Sequence, residues 1–376
     1  MKIKGFATLE GTERFKNRFA GTVHAPSLHP SHFRQHDGLW FSSLGIGSYL
    51  GEPDRETDGL YQEALKEALR AGVNVIDSAI NYRCQRSERT FGQAIRELIE
   101  SGEIRRDEII VCTKGGFIPF DGDYPTDPHA YFEKTYVEKG ILTLADVVQG
   151  CHAMTPRYLE EQLERSLENL GLETIDLYYV HNPETQLAEV EPKEFAKRLQ
   201  SAFEFLEKKV SEGKIRRYGL ATWSGFRNSP EARDHLSLED IHILAREAGG
   251  ADPHFKAVQL PVNLAMPEAW VLANQNYGAQ TLPFLDVARK LGLFVIASAS
   301  LLQGQLARPF PPEFQNLFGG LQKSSQGSLQ FVRSLPGVAT ALTGMKTKDH
   351  VRENMATAQR GLLSEAELIQ LFQKTA

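Results

Sequence analysis

The stretch VNVIDSAINY, residues 73–82, reads as a short apolar β-type run that stops at Asp77 and is followed, five residues on, by Tyr82. Two later runs end the same way: EIIVCTK, residues 108–114, stops at Lys114, and IDLYYVH, residues 175–181, stops at His181. Each terminates on a side chain that can hold or exchange a proton. Where strands alternate with helices, active sites form at the carboxyl ends of the strands. The fold therefore turns on whether the alternation continues along the chain.

It does. Strands are expected at 43–48, 73–77, 108–113, 175–181, 216–222, 256–261, 293–298 and 338–343. Helices are expected between them and after them, at 56–71, 87–102, 156–170, 194–212, 238–248, 280–291, 325–334 and 348–358. Strict βα alternation of this length predicts a single (β/α)8 TIM barrel over residues 1–376, rather than an open sheet. The helix TPRYLEEQLERSLENLG is the clearest, with Thr155 as N-cap, Pro156 at its first position, Leu159, Leu163, Leu167 and Leu170 on one stripe, and Gly171 beyond its end. For the first helix, Thr57 or Asp58 is the expected cap and Gly72 the stop.

Three segments depart from the alternation. Residues 1–42 form an N-terminal extension, and GLWFSS, residues 38–43, reads as half of a hairpin closing the bottom of the barrel. An insertion at 117–154 follows the third strand; a connection that long is usually functional. Its aromatics Phe117, Phe120, Tyr124, Tyr131 and Phe132 suit a lid or pocket wall. The segment SGFRNSPEARDHLSL, residues 224–238, is expected to border the site as well.

Composition narrows the function. With 41% hydrophobic and 24% charged residues in 376, the chain has the material for a large core. A net charge of −6 and a pI near 6.0 argue against nucleic-acid binding, which usually shows as a basic face. No apolar h-region follows the first lysines, and the apolar stretch from Leu291 to Leu306 is too short and too polar to span a membrane. Cys84, Cys112 and Cys151 lack metal-type spacing, so no metal site is expected and a reducing cytoplasm is the expected compartment.

The polar strand ends suggest proton chemistry. A free phenol has a pKa of about 10, and a neighbouring ammonium lowers it. Lys114 is the available cation, Asp77 its expected partner, and His181 a second group able to meet the same reacting oxygen. Singly, each has an ordinary explanation: an Asp after a strand is commonly a turn or cap residue, and a lone His is commonly structural. Their joint occurrence in one strand order carries the reading.

This set resembles the aldo-keto reductase superfamily over about residues 40 to 358. DSAINY matches that family's Asp and Tyr, Lys114 and His181 complete its tetrad, and SERTFG resembles its Ser-Glu-x-x-x-Gly helix start. The resemblance implies Tyr82 as general acid/base, Lys114 and Asp77 as its tuning pair, and His181 as the group orienting substrate. It implies nicotinamide binding without a G-x-G-x-x-G fingerprint, through Gly47, Ser48 and Tyr49 at the first strand, with Asp77, Thr222 and Gln259 near the nicotinamide. Ser298, at the end of the seventh strand, and Leu301 just after it are implied to bind the cofactor as well. The segment TGMKTKDHVRENM is implied to hold the adenosine end through Gly344, Met345, Lys346, His350, Glu353 and Asn354.

The chain departs from the family's pattern at three points. Ala221-Thr222 replaces a common Ser-Asn, Ser298 stands where many members stack a tyrosine, and His350 replaces an arginine that binds the 2′-phosphate. NADPH is the implied cofactor, with NADH as competitor. The implied activity is reduction of an aldehyde or ketone, or oxidation of the alcohol. A cofactor-sensing barrel with little turnover and an NAD-dependent sugar dehydrogenase are the alternatives. The expected partner is a small carbonyl or alcohol, and the oligomeric state is left open.

Overall fold

The computed structural model describes residues 1–19, 28–318 and 320–373, and the expected unit over 1–376 is described over those ranges. Strands β1 (Phe33–His36) and β2 (Leu39–Ser42) pair antiparallel as a hairpin. They are followed by β3 (Leu44–Gly47), β4 (Val75–Asp77), β5 (Ile110–Gly115), β6 (Ile175–His181), β7 (Ile215–Ala221) and β8 (Phe255–Pro261). A second hairpin, β9 (Ala273–Tyr277) with β10 (Gln280–Pro283), precedes β11 (Phe294–Ser298) and β12 (Val338–Thr343). The closed barrel runs β11-β12-β3-β4-β5-β6-β7-β8, with every neighbouring pair parallel.

Burial on both faces explains the near-continuous apolar runs. Along β6 every residue is buried, and its side chains alternate between two environments. Leu177 and Tyr179 join Val75, Cys112 and Ile296 inside the barrel, while Tyr178 and Val180 pack outward with the helical layer. The helix Pro156–Asn169 has the expected cap: the Thr155 side chain accepts from the Tyr158 N–H, and Gly171 turns the chain at φ +67°. Its leucines at 159, 163 and 167 are wholly buried.

The hairpin β1–β2 floors the barrel, with the Phe41 ring 5.0 Å from Phe294. A buried ion pair stitches the same end, Arg106 Nη2 lying 2.7 Å from Asp176 Oδ2. Backbone N–H groups of Ala7 and Val111 complete the carboxylate at 2.6 and 2.8 Å. Buried charges persist when paired and hydrogen-bonded in this way. Among the described residues, no helix is long and apolar enough to cross a membrane.

Several expectations need correction. The first helix runs Arg55–Arg70 and is capped by Asp54, whose Oδ1 accepts from the Thr57 N–H at 2.7 Å. Asp58 is engaged elsewhere, by Arg83 and Arg86. The helix expected over 280–291 spans only Phe284–Lys290, because Gly278 at φ +57° turns a tight hairpin ahead of it. The helix from 348 gives way at Ala356 to a 3-10 turn. Helices Leu9–Asn17 and Glu365–Gln373 were not anticipated.

The helix Arg86–Glu100 packs closely enough on the end of the helix Pro156–Asn169 that a Cβ at Gly92 would lie 2.6 Å from the Leu170 carbonyl oxygen. Backbone cannot yield cheaply there, and overpacking of this kind costs about 1–3 kcal/mol. Gly92→Ala is therefore expected to lower the unfolding free energy by that amount, read in chemical denaturation as a lower midpoint with the m-value unchanged.

Candidate active site

The four proton-active residues converge because the register brings β4, β5 and β6 side by side. Asp77 pairs with Cys112 across β4 and β5, and Lys114 with Tyr179 across β5 and β6. Lys114 is fully buried, its Nζ 2.6 Å from Asp77 Oδ2 and 2.7 Å from the Ser78 carbonyl oxygen. The other carboxylate oxygen of Asp77 accepts from Gln259 Nε2 at 2.8 Å. Burial raises the Asp77 carboxyl against the opposing pull of Lys114 and Gln259. Burial works to lower Lys114, but Asp77 and Tyr82 hold it above its ordinary value, so it remains a cation.

Tyr82 lies in the loop beyond β4, half-buried, with the Lys114 ammonium 4.8 Å from its ring centroid. The His181 ring stands edge-on to it at 5.9 Å and Tyr49 covers another side at 5.0 Å. Burial pushes the phenol above its ordinary pKa and Lys114 pulls it back without overcoming that rise. A neighbouring ammonium alone predicts a lowered phenol; desolvation is the larger effect here. Burial, then Lys114, then His152 hold His181 far below its usual value, so the ring is neutral. Its Nδ1 has no hydrogen-bond partner.

The tyrosine loop is braced. Arg83, Cys84 and Gln85 all have positive φ, at 48°, 53° and 68°, a costly run for residues with side chains. Arg83 ties it down through Asp58 and the Glu52 carbonyl oxygen. The insertion adds two bonds: the Gly122 N–H donates to the Cys84 carbonyl oxygen at 2.8 Å, and Gln85 Nε2 donates to that of Phe120 at 2.9 Å. Behind the loop, Glu88 accepts from Thr113 at 2.6 Å and from Asn169 at 2.9 Å, which explains the Ser-Glu at the start of that helix.

A cavity of about 830 Å³ opens above the tetrad. Asp77, Tyr82 and His181 line it, and Lys114 sits behind them. Gly47, Ser48, Tyr49, Thr222, Gln259, Ser298, Leu301, Gly344, Lys346, His350, Glu353 and Asn354 all line the same cavity. Met345 does not; its side chain is wholly buried in the core. Phe117 is the one insertion aromatic among the lining residues. Tyr131 and Phe132 instead pack on a separate cluster around Tyr136 and Tyr158, and Tyr124 is 65% exposed. Sequence reasoning missed Asn81, Asn182, Trp223, Ser300 and Gln303. Of these, Asn182 and Trp223 directly follow expected strands, a position that was signal enough.

The cavity has features that fit a dinucleotide. Thr222 Oγ1 and Thr343 Oγ1 are buried without partners in residues that line it. A Cβ at Gly47 would meet no protein atom within 4 Å. Near the end of β12, Thr347 caps the helix Lys348–Met355, and Glu353 is fixed by the Ser325 hydroxyl at 2.6 Å. Lys348 and Arg352 are drawn to Glu63 and Glu67, whereas Lys346 has no ion pair among the described residues. No cluster of His, Cys, Asp and Glu that could hold a metal occurs among those residues.

A parallel eight-stranded barrel with an Asp, Tyr, Lys and His meeting at its carboxyl end defines a class of barrel oxidoreductases. The chain belongs to the aldo/keto reductase family, whose model matches residues 43–309. It is similar to prostaglandin F synthase 1 of Bos taurus, 29% identical over 147 residues, an alignment spanning 39% of this chain and only 33% of that protein. It is 26% identical over 285 residues to 6-dehydroglucose reductase of Novosphingobium aromaticivorans, covering 74% of this chain and 72% of the relative. An aldo/keto reductase of Klebsiella pneumoniae, solved with NADP and acetate, has the same fold at a TM-score of 0.61 and 22% identity, over 92% of this chain and 95% of its own.

The interior histidines make an acid-sensitivity prediction. His152 and His32 are wholly buried, and burial lowers their pKa to about 4 and about 3. Each ring is neutral when folded but takes up a proton near 6.5 once unfolded, so stability is complete above that pH and is lost as pH falls towards 4. The melting temperature is expected to fall between pH 7 and about 4.5. In His152→Gln the fall should be shallower, whatever the variant's melting temperature at neutral pH.

Proposed function

We propose that this protein is an NAD(P)H-dependent oxidoreductase that reduces a small aldehyde or ketone, or oxidises the corresponding alcohol, with Tyr82 as general acid/base. The observation that supports it most is the placement of the Lys114 cation against the Tyr82 ring, backed by Asp77 and flanked by a neutral His181. A reduced nicotinamide held in this cavity would supply hydride to the carbonyl carbon. As negative charge grows on the carbonyl oxygen, Tyr82 donates its proton there, and Lys114 stabilises the phenolate left behind. His181, uncharged, directs the same oxygen by hydrogen bonding without competing as an acid. Asp77 keeps Lys114 ionised in a site where an unpaired ammonium would be expensive.

Thr222 and Gln259 are the proposed contacts of the carboxamide, Ser298 and Leu301 border the ring, and Gly47, Ser48 and Tyr49 line the approach. Gly344, Lys346, His350, Glu353 and Asn354 are the proposed adenosine contacts, while Met345 belongs to the core. NADPH is the proposed cofactor, because Lys346 is unpaired at the start of a capped helix whose free N–H groups also favour a phosphate. NADH is the competitor, since His350 stands where the family's pattern has an arginine for the 2′-phosphate.

Tyr82→Phe is expected to keep the dissociation constant for NADPH within about twofold, yet cut kcat by a hundredfold or more, roughly the contribution of a positioned general acid. A variant retaining most of its turnover in a 340 nm assay would overturn the assignment. Lys346→Met is expected to weaken NADPH binding about tenfold, the scale of one charge-assisted contact, and NADH binding much less. Quenching of protein fluorescence by each dinucleotide measures both.

A further inference from the structure

His152 is a wholly buried histidine that the reaction as described does not use. It lies near the end of the insertion, bridged to Phe117, and its Nε2 is 2.7 Å from the main-chain carbonyl oxygen of His181 at the end of β6. Its Nδ1 is 2.8 Å from Gln186 Nε2, in the 3-10 turn Pro183–Ala188. Gln186 Oε1 in turn lies 2.7 Å from Arg198 Nη1, on the helix Pro192–Ser211. Three segments outside the barrel wall therefore meet behind one member of the tetrad.

The direction of each bond in this chain is fixed from one end. A guanidinium can only donate, so the Gln186 oxygen must face Arg198 and its amide nitrogen must face His152. Nδ1 then accepts, which leaves the single proton of a neutral imidazole on Nε2, facing the His181 carbonyl. Burial keeps the ring neutral, its pKa lowered to about 4.

The surrounding packing leaves room for that bond and little else. A Cβ at Gly116, just past β5, would lie 2.8 Å from both His152 Nε2 and the His181 carbonyl oxygen. Phe117 sets its ring edge-on to both histidines, 5.2 Å from His152 and 5.1 Å from His181. Beyond His181 the chain turns left-handed at Asn182, with φ +43°, a conformation that neighbours have to hold. The His181 ring thus sits against Phe117 and Tyr82, and its main chain is held by His152.

We propose that His152 is a positioning residue: by holding the His181 carbonyl it fixes the backbone from which the His181 ring meets the substrate oxygen. The inference rests on the carbonyl-reductase reading of the main cavity and deepens it. It also gives the insertion a second hold on the site, beside its bonds to Cys84 and Gln85.

A double-mutant cycle on the full-length protein, with propanal and NADPH, tests it. His152→Leu is expected to lower kcat roughly ten- to hundredfold, the upper end being the cost of a misplacement of about 1 Å, with the NADPH dissociation constant within about twofold. His152→Gln retains an N–H that can reach the carbonyl and should recover most of that loss. In a His181→Ala background His152→Leu should cost nothing further, because residues that act through one another are non-additive. The same fold-loss in both backgrounds would show a general softening of the structure and overturn the proposal. NMR of protein labelled at its histidine nitrogens needs no turnover. There His152 is expected as the Nε2–H tautomer, with His181 ring signals that move in His152→Leu and return in His152→Gln. The Nδ1–H tautomer, or unmoved His181 signals, would overturn the proposal. Where His152→Leu does not fold, Gln186→Met carries the same two readouts, since it frees the tautomer and keeps the ring. A protein inert towards propanal and other aldehydes and ketones, yet with moved His181 signals, would refute the reductase reading and uphold the hold on His181. Turnover that His152→Leu leaves unchanged would refute the positioning role and leave the reductase reading standing.

Discussion

The Asp77–Lys114 ion pair is the constraint around which the upper half of this barrel is arranged. A lysine buried to zero exposure has to be paired and hydrogen-bonded, and removing one partner of such a pair typically costs about 3–5 kcal/mol. Lys114 meets that requirement with a carboxylate from β4 and a carbonyl from the residue after it. Gln259, reaching across from β8, satisfies the remaining carboxylate oxygen. One ion pair thus links three of the barrel's strands and aims an ammonium group at the loop that carries Tyr82.

The opposite end of the barrel shows the same physics without chemistry. Arg106 and Asp176 also form a buried pair, but there the carboxylate is saturated by backbone N–H groups and the hairpin β1–β2 excludes solvent below it. Every polar atom of Asp176 is spent on structure. At the upper end, by contrast, His181 Nδ1 and the hydroxyls of Thr222 and Thr343 are left without partners around a large cavity. Buried atoms without partners also occur at the floor, Arg34 Nε, His36 Nε2 and Arg106 Nε among them, so what distinguishes the working face is that its open groups line a large cavity.

Much of this was legible from the chain alone, for reasons that can be named. The eight barrel strands were readable because burial on both faces makes them short apolar runs, and the helix from Pro156 because its cap, stripe and terminal glycine agree. Asp77, Lys114 and His181 were readable as polar residues at the ends of such runs. The hairpin at 273–283 was not, since β9 and β10 are largely polar on their exposed faces and carry no apolar alternation. Met345 was misplaced because adjacency to Gly344 and Lys346 does not say which way a side chain points. Tyr82 was found, but the balance acting on its phenol was not, because the depth of burial that outweighs Lys114 is a property of the assembled site.

The insertion at 117–154 illustrates how a segment can serve the site without covering it. Its core packs on its own aromatic cluster, so most of its apolar surface is already committed. Its first turn instead bonds to Cys84 and Gln85, in the middle of the left-handed run that follows Tyr82. Backbone strain in such a run persists only where neighbours over-determine it, and here the Arg83–Asp58 pair, the Arg83 bond to the Glu52 carbonyl and two bonds to the insertion supply the tethers. Tyr82 thus takes its position from the strand before it and from the braced turn after it. The insertion contributes to the site chiefly as a buttress, with Phe117 alone among the five aromatics reaching the cavity.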